Sequence, residues 1–236
     1  MEKKFISNFF TKPRYKAGKF VAGGFCLVVI LITQFYWVFP EIGAQLHLSK
    51  FSLFYLNEFW RILTMNFIHA DFSHLGSNLV MLFILSMLIF NYFGYYAFPL
   101  INLFGASIAN MITIYFYPQK VVLLGASTLI YHLWGFWFVV YLFGNRRYSF
   151  IMRLLRVMGV GFIILLPTTF DARTSYSAHF WGLVVGGVLG TVYFLYMKHF
   201  IYSFERFETS YFDEDYEAYE QAQLDEDNSY NNRTIH

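Results

Sequence analysis

Six long apolar runs constrain this chain more than any other feature of its sequence. They cover residues of about 20–39, 77–97, 98–117, 122–143, 152–170 and 178–197. Each is close to the roughly 20 residues that a helix needs to cross the hydrocarbon core of a bilayer. Only 14% of the 236 residues are charged, whereas a soluble domain carries about a quarter. The sequence therefore predicts an all-α polytopic membrane protein with six transmembrane helices.

Lysine and arginine in the short loops predict how these helices are oriented. Six basic residues precede the first run, against the single acid Glu2: Lys3, Lys4, Lys12, Arg14, Lys16 and Lys19. Four arginines and no acid follow the fourth run: Arg146, Arg147, Arg153 and Arg156. We therefore expect residues 1–19 to be a basic cytoplasmic segment, residues 20–197 to form the membrane domain, and both termini to be cytoplasmic.

The segments outside the runs differ sharply in composition. The segment from Pro40 to about His74 is rich in aromatic residues, and we expect an interfacial outer loop of short helices there. Residues 198–236 become acidic and polar, with little to bury. This composition predicts a disordered or weakly helical cytoplasmic tail, with a docking segment for a cytosolic partner as the alternative.

Ser127 and His179 stand out as polar residues at the starts of apolar runs. The break at residues 118–120 predicts that the fourth helix begins near Ser127, where free N–H groups and a partial positive charge favour an oxyanion. Gly125 leaves room there for a substrate backbone. His179 heads the last run on the same outer side, and a histidine in a membrane segment is costly and usually functional. A shared depth would allow the two to act as nucleophile and base.

Structural explanations for the same residues remain open at this point. A serine in a membrane helix is most often a packing residue. The tripeptide Gly105-Ala106-Ser107 repeats the Gly-Ala-Ser of the fourth run, but Met111 follows Ser107 where Tyr131 follows Ser127. The tripeptide alone therefore decides nothing, and His179 alone is equally compatible with a structural histidine bonded to a carbonyl.

Small residues in the last run predict its packing partner. Gly182, Gly186 and Gly190 recur at intervals of four, close to the helix face of His179. Such a stripe lets two helices approach closely. We expect the sixth helix to lie against the fourth and to bring His179 to Ser127.

A third group of polar residues precedes and opens the second run. His74 and Asn78 are four residues apart and share a helix face, from which both can donate to a developing oxyanion. We expect His69 to be buried and structural. Trp60 and Arg61 each have an adequate structural explanation, as an interfacial anchor and as a charge at the bilayer surface. The His-Glu-x-x-His motif is absent, so we expect no metal or other cofactor. Nothing in the composition indicates a nucleic-acid partner.

In order and spacing, these residues resemble the rhomboid family of intramembrane serine proteases. The resemblance rests on Glu58-x-Trp60-Arg61-x-x-Thr64, His69, His74, Asn78, Gly125-x-Ser127, Tyr131, Ala178-His179-x-x-Gly182 and Gly186. It covers residues of about 58–190. The family's six-helix core agrees with the six predicted spans, so a rhomboid-like bundle is expected.

The resemblance also implies roles for individual residues. Ser127 would be the nucleophile and His179 the general base, a dyad without a third carboxylate. Tyr131 would pack against the His179 ring, and the Ser127 N–H with His74 and Asn78 would form the oxyanion hole. The Trp60-Arg61 segment would brace the outer loop. The loop from Asp171 to Ser177 would cap the site, and the fifth helix would be the lateral gate for substrate.

The implied function is that of a serine endopeptidase that cleaves transmembrane segments of membrane proteins. The bare six-span core is typical of bacterial members, which implies the cytoplasmic membrane, with the active site toward the outer side. One departure is Thr128, where the family has glycine; its hydroxyl can bond back to the helix backbone. Thr128 is the sequence feature that favours the alternative, a catalytically impaired relative that binds membrane clients without cleaving them.

Overall fold

A computed structural model of the chain describes residues 2–169, 175–210 and 220–225. The long helices are α1 (Gly18–Val38), α5 (Phe72–Tyr95), α6 (Asn102–Phe116), α7 (Ser127–Gly144), α8 (Phe150–Thr169) and α9 (Tyr176–Tyr202). Between α1 and α5 lie the short helices α2 (Pro40–Gly43), α3 (Lys50–Phe54) and α4 (Arg61–Thr64), then a 3-10 turn at Met65–Phe67. The strands are β1 (Glu2–Ser7), β2 (Leu48–Ser49), β3 (Val122–Leu123) and β4 (Arg206–Ser210).

Four helical stretches in the described part are long and apolar enough to cross a membrane. They are Gly18–Val38, Phe72–Phe116, Ser127–Gly144 and Tyr176–Tyr202. The second stretch has 45 residues and contains both α5 and α6. Its helical geometry is interrupted at Gly94, with φ 74°, and at Phe98, with φ −130° and ψ 128°. Pro99 follows, and its ring leaves no N–H for the helix ladder. The chain is thus a mostly helical, polytopic membrane protein.

Helix α7 lies at the centre of the helical unit, which comprises Asn8–Phe204. It contacts α5, α6, α8 and α9. Leu129, Ile130, Leu133, Phe136 and Val140 of α7 are fully buried. A helix that is apolar around its whole circumference is buried on all sides, so the sequence of α7 accounts for its position. Ser127, the first residue of α7, is fixed by this packed scaffold.

Helices α7 and α9 pack in parallel through glycines, as the spacing in the last run predicted. A Cβ atom added at Gly182 would lie 2.6 Å from the carbonyl oxygen of Thr128. A Cβ at Gly186 would overlap the His132 carbonyl, and one at Gly190 would lie 2.8 Å from the Phe136 carbonyl oxygen. Each four-residue step along α9 matches four residues along α7. The two helices therefore run in the same direction with their backbones in contact.

Two small sheets, which the all-α prediction did not include, complete the described structure. Strand β2 pairs antiparallel with β3, so the outer segment is attached to the residues just before α7. Strand β1 pairs antiparallel with β4 in a second unit, formed by Met1–Ser7 and Glu205–His236. The β2–β3 ladder has two residues per strand, too few to show the alternating pattern of a strand. The strands β1 and β4 are far apart in the sequence, so no local pattern indicates that they pair. Of the predicted acidic tail, residues 198–236, the structure describes residues 198–210, where α9 ends and β4 follows, and the helical residues 220–225.

Candidate active site

Ser127 is the first residue of α7 and is half-buried between buried neighbours. Gly125, two residues earlier, has a φ of 113°, a conformation that favours glycine. A Cβ atom at Gly125 would lie 2.6 Å from His74 Cε1 and 3.8 Å from Asn78 Nδ2. The backbone that leads into Ser127 can therefore meet both side chains only because residue 125 has no side chain of its own.

The turn before Ser127 is held by the segment between α1 and α5, through main-chain contacts and the side chain of His69. The register of the small sheet sets Leu123 opposite Leu48. The Gly125 N–H donates to the Met65 carbonyl at 2.9 Å. The Ala126 N–H donates to Nε2 of His69 at 3.2 Å. Three successive attachments thus fix the direction in which α7 begins.

His69 links this turn to the first long helix. The Thr33 hydroxyl donates to the Phe67 carbonyl at 3.0 Å and lies 3.3 Å from His69 Nδ1. Because the single hydroxyl proton is used on Phe67, Nδ1 carries the proton donated to Thr33, and Nε2 is left to accept from Ala126. The indole N–H of Trp37 donates to the His69 carbonyl at 2.8 Å. His69 is therefore a positioning residue, and this arrangement requires its neutral form.

Acid should destabilise the folded protein through His69. Burial, and then the neighbouring His74, lower the pKa of His69 from 6.5 to about 3, while Asp71 acts in the opposite direction. Below pH 6.5 the unfolded chain takes up a proton at this residue and the folded chain does not, so stability falls as the pH falls toward 3. We expect a loss of up to about 1.4 kcal/mol per pH unit in this window. Thermal unfolding between pH 7 and 4, compared with His69→Gln, measures it; equal pH dependence in both proteins would contradict the assignment.

His179 lies in the first turn of α9, directly beside the first turn of α7. Its ring stacks on the ring of Tyr131, with centroids 3.9 Å apart and planes inclined by 14°. Ser175 caps α9 by accepting from the Ala178 N–H. The Ser175 hydroxyl also lies 2.6 Å from the hydroxyl of Tyr117, at the end of α6. The structure thus brings the beginnings of α7 and α9 to the same level.

His74 and Asn78 lie on one face of α5, at the end where Asp71 caps this helix. The Asp71 carboxylate accepts from the His74 N–H at 2.9 Å. The rings of His69 and His74 are 4.9 Å apart. Asn78 is buried, and among the described residues neither its amide nitrogen nor its amide oxygen has a hydrogen-bond partner. A buried amide with no partner costs stability, which points to a functional reason for Asn78.

Arg61 is buried and braces the outer segment, so its contacts differ from those of a charge at the bilayer surface. Its guanidinium donates to the carbonyls of Ala44, at 2.6 Å, and His47, at 3.1 Å. It also forms an ion pair with Glu58 at 2.7 Å. Trp60 is 52% exposed, as an interfacial anchor would be. The bracing role that the resemblance implies for this segment is compatible with these contacts.

Thr128, in the position of the usual glycine, is buried within the bundle. Its side-chain oxygen has no hydrogen-bond partner among the described residues, so the possible bond back to the helix backbone is not formed. Gly182 still packs on the Thr128 carbonyl. The extra side chain is therefore accommodated without separating α7 from α9.

Several residues around this site were not predicted from the sequence. Thr33 and Trp37 read as ordinary members of an apolar run, although a threonine in such a run is itself a weak signal of a polar contact. His132, in the middle of α7, is fully buried, and neither ring nitrogen has a partner within the described residues. The capping loop predicted at Asp171–Ser177 lies outside the described residues up to position 174. Within the described ranges, no three His, Cys, Asp or Glu side chains are arranged to hold a metal ion.

Comparison with known proteins identifies the family of the chain. The model of the Rhomboid domain matches residues 56–196, which is more than half of the chain. One curated protein, "Putative rhomboid protease YdcA" of Bacillus subtilis (strain 168), is 27% identical over 132 residues. That alignment covers 56% of this chain and 66% of the relative, slightly less than two thirds of its length.

The matched region spans the candidate residues from Trp60 to His179, helices α4 to α8 and most of α9, but not α1. The order and spacing of the candidate residues in the sequence lead to the same family as the domain model. The chain is therefore an integral membrane protein that belongs to the rhomboid family.

Proposed function

We propose that this protein is an intramembrane serine endopeptidase with Ser127 as nucleophile and His179 as general base. The observation that carries the proposal is the stack of His179 on Tyr131, whose rings are 3.9 Å apart. Tyr131 lies about one helical turn after Ser127 on the same helix. The stack therefore holds His179 beside the face of α7 that carries Ser127 and Tyr131. It also restricts the orientation of the imidazole ring.

The proposed reaction starts when the Ser127 hydroxyl attacks a substrate carbonyl and His179 accepts its proton. His179 then returns this proton to the leaving amine, and an acyl-enzyme remains on Ser127. Water hydrolyses the acyl-enzyme in the second half of the reaction, again with His179 as the base. The Tyr131 ring orients the imidazole in place of a third carboxylate. Asp171, the acid nearest to His179 in sequence, lies outside the described residues.

The tetrahedral intermediate would be stabilised around Gly125. His74 and Asn78 both approach this glycine, and the free N–H groups at the start of α7 lie next to it. Removing one donor from an oxyanion hole typically costs about 10²–10³ in kcat. The unpartnered amide of Asn78 supports this role, because a donor kept for the intermediate has no partner before substrate arrives.

Asn78→Leu should reduce kcat by about 100-fold or more while leaving KM and thermal stability nearly unchanged. No hydrogen bond in the described structure is lost with this amide, so its removal need not destabilise the fold. Asn66 is the matched control, because its amide donates to the carbonyls of Ile62 and Leu63. Asn66→Leu should lower the melting temperature instead. An Asn78→Leu protein that melts early and keeps its kcat would show that Asn78 is structural.

Six membrane spans with both termini on one side are part of the proposal. Helices α5 and α6 together would measure about 68 Å if continuous, more than twice the hydrocarbon thickness. The interruption between Gly94 and Phe98 supports two spans there. Because β1 precedes α1 and β4 follows α9, their pairing supports an even number of crossings. The basic residues near the N terminus and after α7 then favour a cytoplasmic location for both termini.

The proposed substrates are single-span membrane proteins. A helical amide is hydrogen-bonded and shielded, so a substrate must unwind near the scissile bond before Ser127 can attack. Gly, Ala, Ser or Pro at that place weakens a helix and should be preferred. The half-buried Ser127 lies at the start of its helix, at one end of the bundle, where water can also enter.

The proposal is tested with the purified chain, a fluorophosphonate probe and a single-span substrate with a helix-weakening segment. We expect covalent labelling of the wild-type protein and cleavage of the substrate, both insensitive to chelators. A protein that binds the substrate, fails to cut it and fails to label would establish the alternative, a rhomboid-family binder of membrane clients.

A further inference from the structure

A pocket of about 160 Å³ lies in the helical unit at the end of α7 opposite Ser127. Asn8, Trp137 and Asn145 form its buried side, and Arg147 and Arg156 line its exposed side. The eighteen residues of α7, Ser127–Gly144, correspond to about 27 Å of helix, nearly the thickness of the hydrocarbon core. The pocket therefore lies at the other face of the membrane from the candidate active site.

The buried side of the pocket is a fixed structure. The Asn8 amide donates to the Asn145 side-chain oxygen at 2.6 Å. The Asn8 side-chain oxygen accepts from the Phe10 N–H at 3.0 Å. The Tyr92 hydroxyl donates to the Phe10 carbonyl at 3.1 Å. These bonds join the segment before α1 to the ends of α5 and α7, so the cavity is held open by packed elements.

The charge of the pocket favours an anion. Of the four arginines that follow α7, Arg147 and Arg156 line the pocket. Their guanidinium groups lie 5.5 Å and 3.7 Å from the centroid of the Tyr148 ring. None of the described residues that line the pocket is Asp or Glu. Two guanidinium groups beside tyrosines can bind a phosphate group.

The surface next to the pocket is apolar and faces outward. Four residues of α8 share one helix face and are all exposed: Ile151, Leu155, Met158 and Phe162. Leu155 immediately precedes Arg156, so the apolar stripe passes beside the arginine at the pocket. A ligand with a phosphate and acyl chains would satisfy both the charge and this surface, whereas free phosphate would satisfy the charge alone.

We propose that this pocket binds the headgroup of an anionic phospholipid, with its acyl chains along the exposed face of α8. Basic pockets between transmembrane helices on the cytoplasmic side are suited to such headgroups. The proposal is independent of peptide hydrolysis, because the pocket and the candidate active site lie at opposite ends of α7. A lipid bound here would join the segment before α1 to α7 and α8.

The test is lipid binding to the detergent-solubilised full chain, followed by native mass spectrometry and by melting temperature. The probes are dioleoyl phosphatidylglycerol, dioleoyl phosphatidylcholine and inorganic phosphate. We expect phosphatidylglycerol to be retained and to raise the melting temperature more than phosphatidylcholine. Arg147→Gln with Arg156→Gln should weaken its binding by about 10- to 30-fold. Lys16→Gln with Lys19→Gln removes the same charge from exposed residues outside the pocket and should leave binding within about twofold of the wild type.

Three outcomes would overturn the proposal. Equal binding of the two lipids would show that the headgroup charge is not recognised. An equal shift with inorganic phosphate would show a site for free phosphate. Equal weakening by the arginine and lysine pairs would show attraction to overall charge. If the double variant does not fold, Arg156→Gln alone serves, since this side chain is exposed, and Arg156→Lys should restore part of the binding.

Discussion

Ser127→Ala should reduce both probe labelling and substrate cleavage to background, a loss of about 10⁴-fold or more. His179→Ala should have the same effect, and the double variant should be no worse than either single one, because nucleophile and base act as a unit. Ser127 is half-buried and lies at a helix start, so removing its hydroxyl should leave the melting temperature unchanged. Capture of uncleaved substrate by Ser127→Ala would show that only the chemical step is lost.

The chain supplies its own control for this experiment. Ser107 ends a second Gly-Ala-Ser tripeptide, and its hydroxyl donates to the Leu103 carbonyl at 2.9 Å within α6. Ser107→Ala should therefore leave cleavage within about twofold of the wild type, since a bond of this kind contributes only about 1 kcal/mol. Cleavage that survives in Ser127→Ala, or disappears in Ser107→Ala, would contradict the assignment of the nucleophile.

Gly186→Ala should inactivate the protein without touching either member of the dyad. A Cβ atom at this position would overlap the His132 carbonyl, so α9 must move away from α7. Overpacking of this kind costs about 1–3 kcal/mol or more. His179 would shift with α9, and a misplacement of about 1 Å can reduce a rate by about 100-fold. Melting temperature and probe labelling measure the two effects separately.

Gly187→Ala is the matched control, one residue further along the same helix. Among the described residues, a Cβ atom there would meet only the Val139 side chain, at 3.8 Å, which is an ordinary contact. Both substitutions carry the same gain in helix propensity, about 1 kcal/mol. The difference between the two variants therefore isolates the contact between helix backbones. Equal melting temperatures and equal labelling would mean that this contact does not position His179.

The helices were predictable because a bilayer demands long apolar runs, and each long helix coincides with one of them. Ser127 and His179 were recognisable as candidates because a polar side chain in a membrane segment is costly and needs a structural or functional reason. That their two helices pack together could also be predicted, because Gly182, Gly186 and Gly190 mark one face of the last helix at which another helix can approach closely. The sequence thus led to the pair and to the surface that joins its two helices.

Other parts of the structure depend on partners that a sequence does not identify. A charge at the bilayer surface was one explanation of Arg61 in the sequence, yet irregular backbone at Ala44 and His47 leaves carbonyls to which its guanidinium donates. The pairing of β1 with β4 joins the two ends of the chain, and neither strand has a local pattern that names the other. Both cases depend on contacts of backbone groups. Because every residue carries the same backbone groups, the residue types do not indicate which of them will be paired.

The hydrogen bonds from Thr33 and Trp37 to the His69 segment bear on how short a fragment of this protein can be and still hold the candidate site in place. The region of family similarity begins at residue 56, after α1 has ended. A fragment cut at that boundary keeps every residue of the candidate site, but it deprives the His69 carbonyl of the Trp37 indole and the His69 ring of Thr33. The Nδ1–H of His69 would then have lost Thr33 as its acceptor, and the tautomer whose Nε2 accepts from Ala126 would no longer be fixed. We therefore expect a fragment that begins at residue 56 to be less stable, and to hold the turn before Ser127 less firmly, than a fragment that also contains α1.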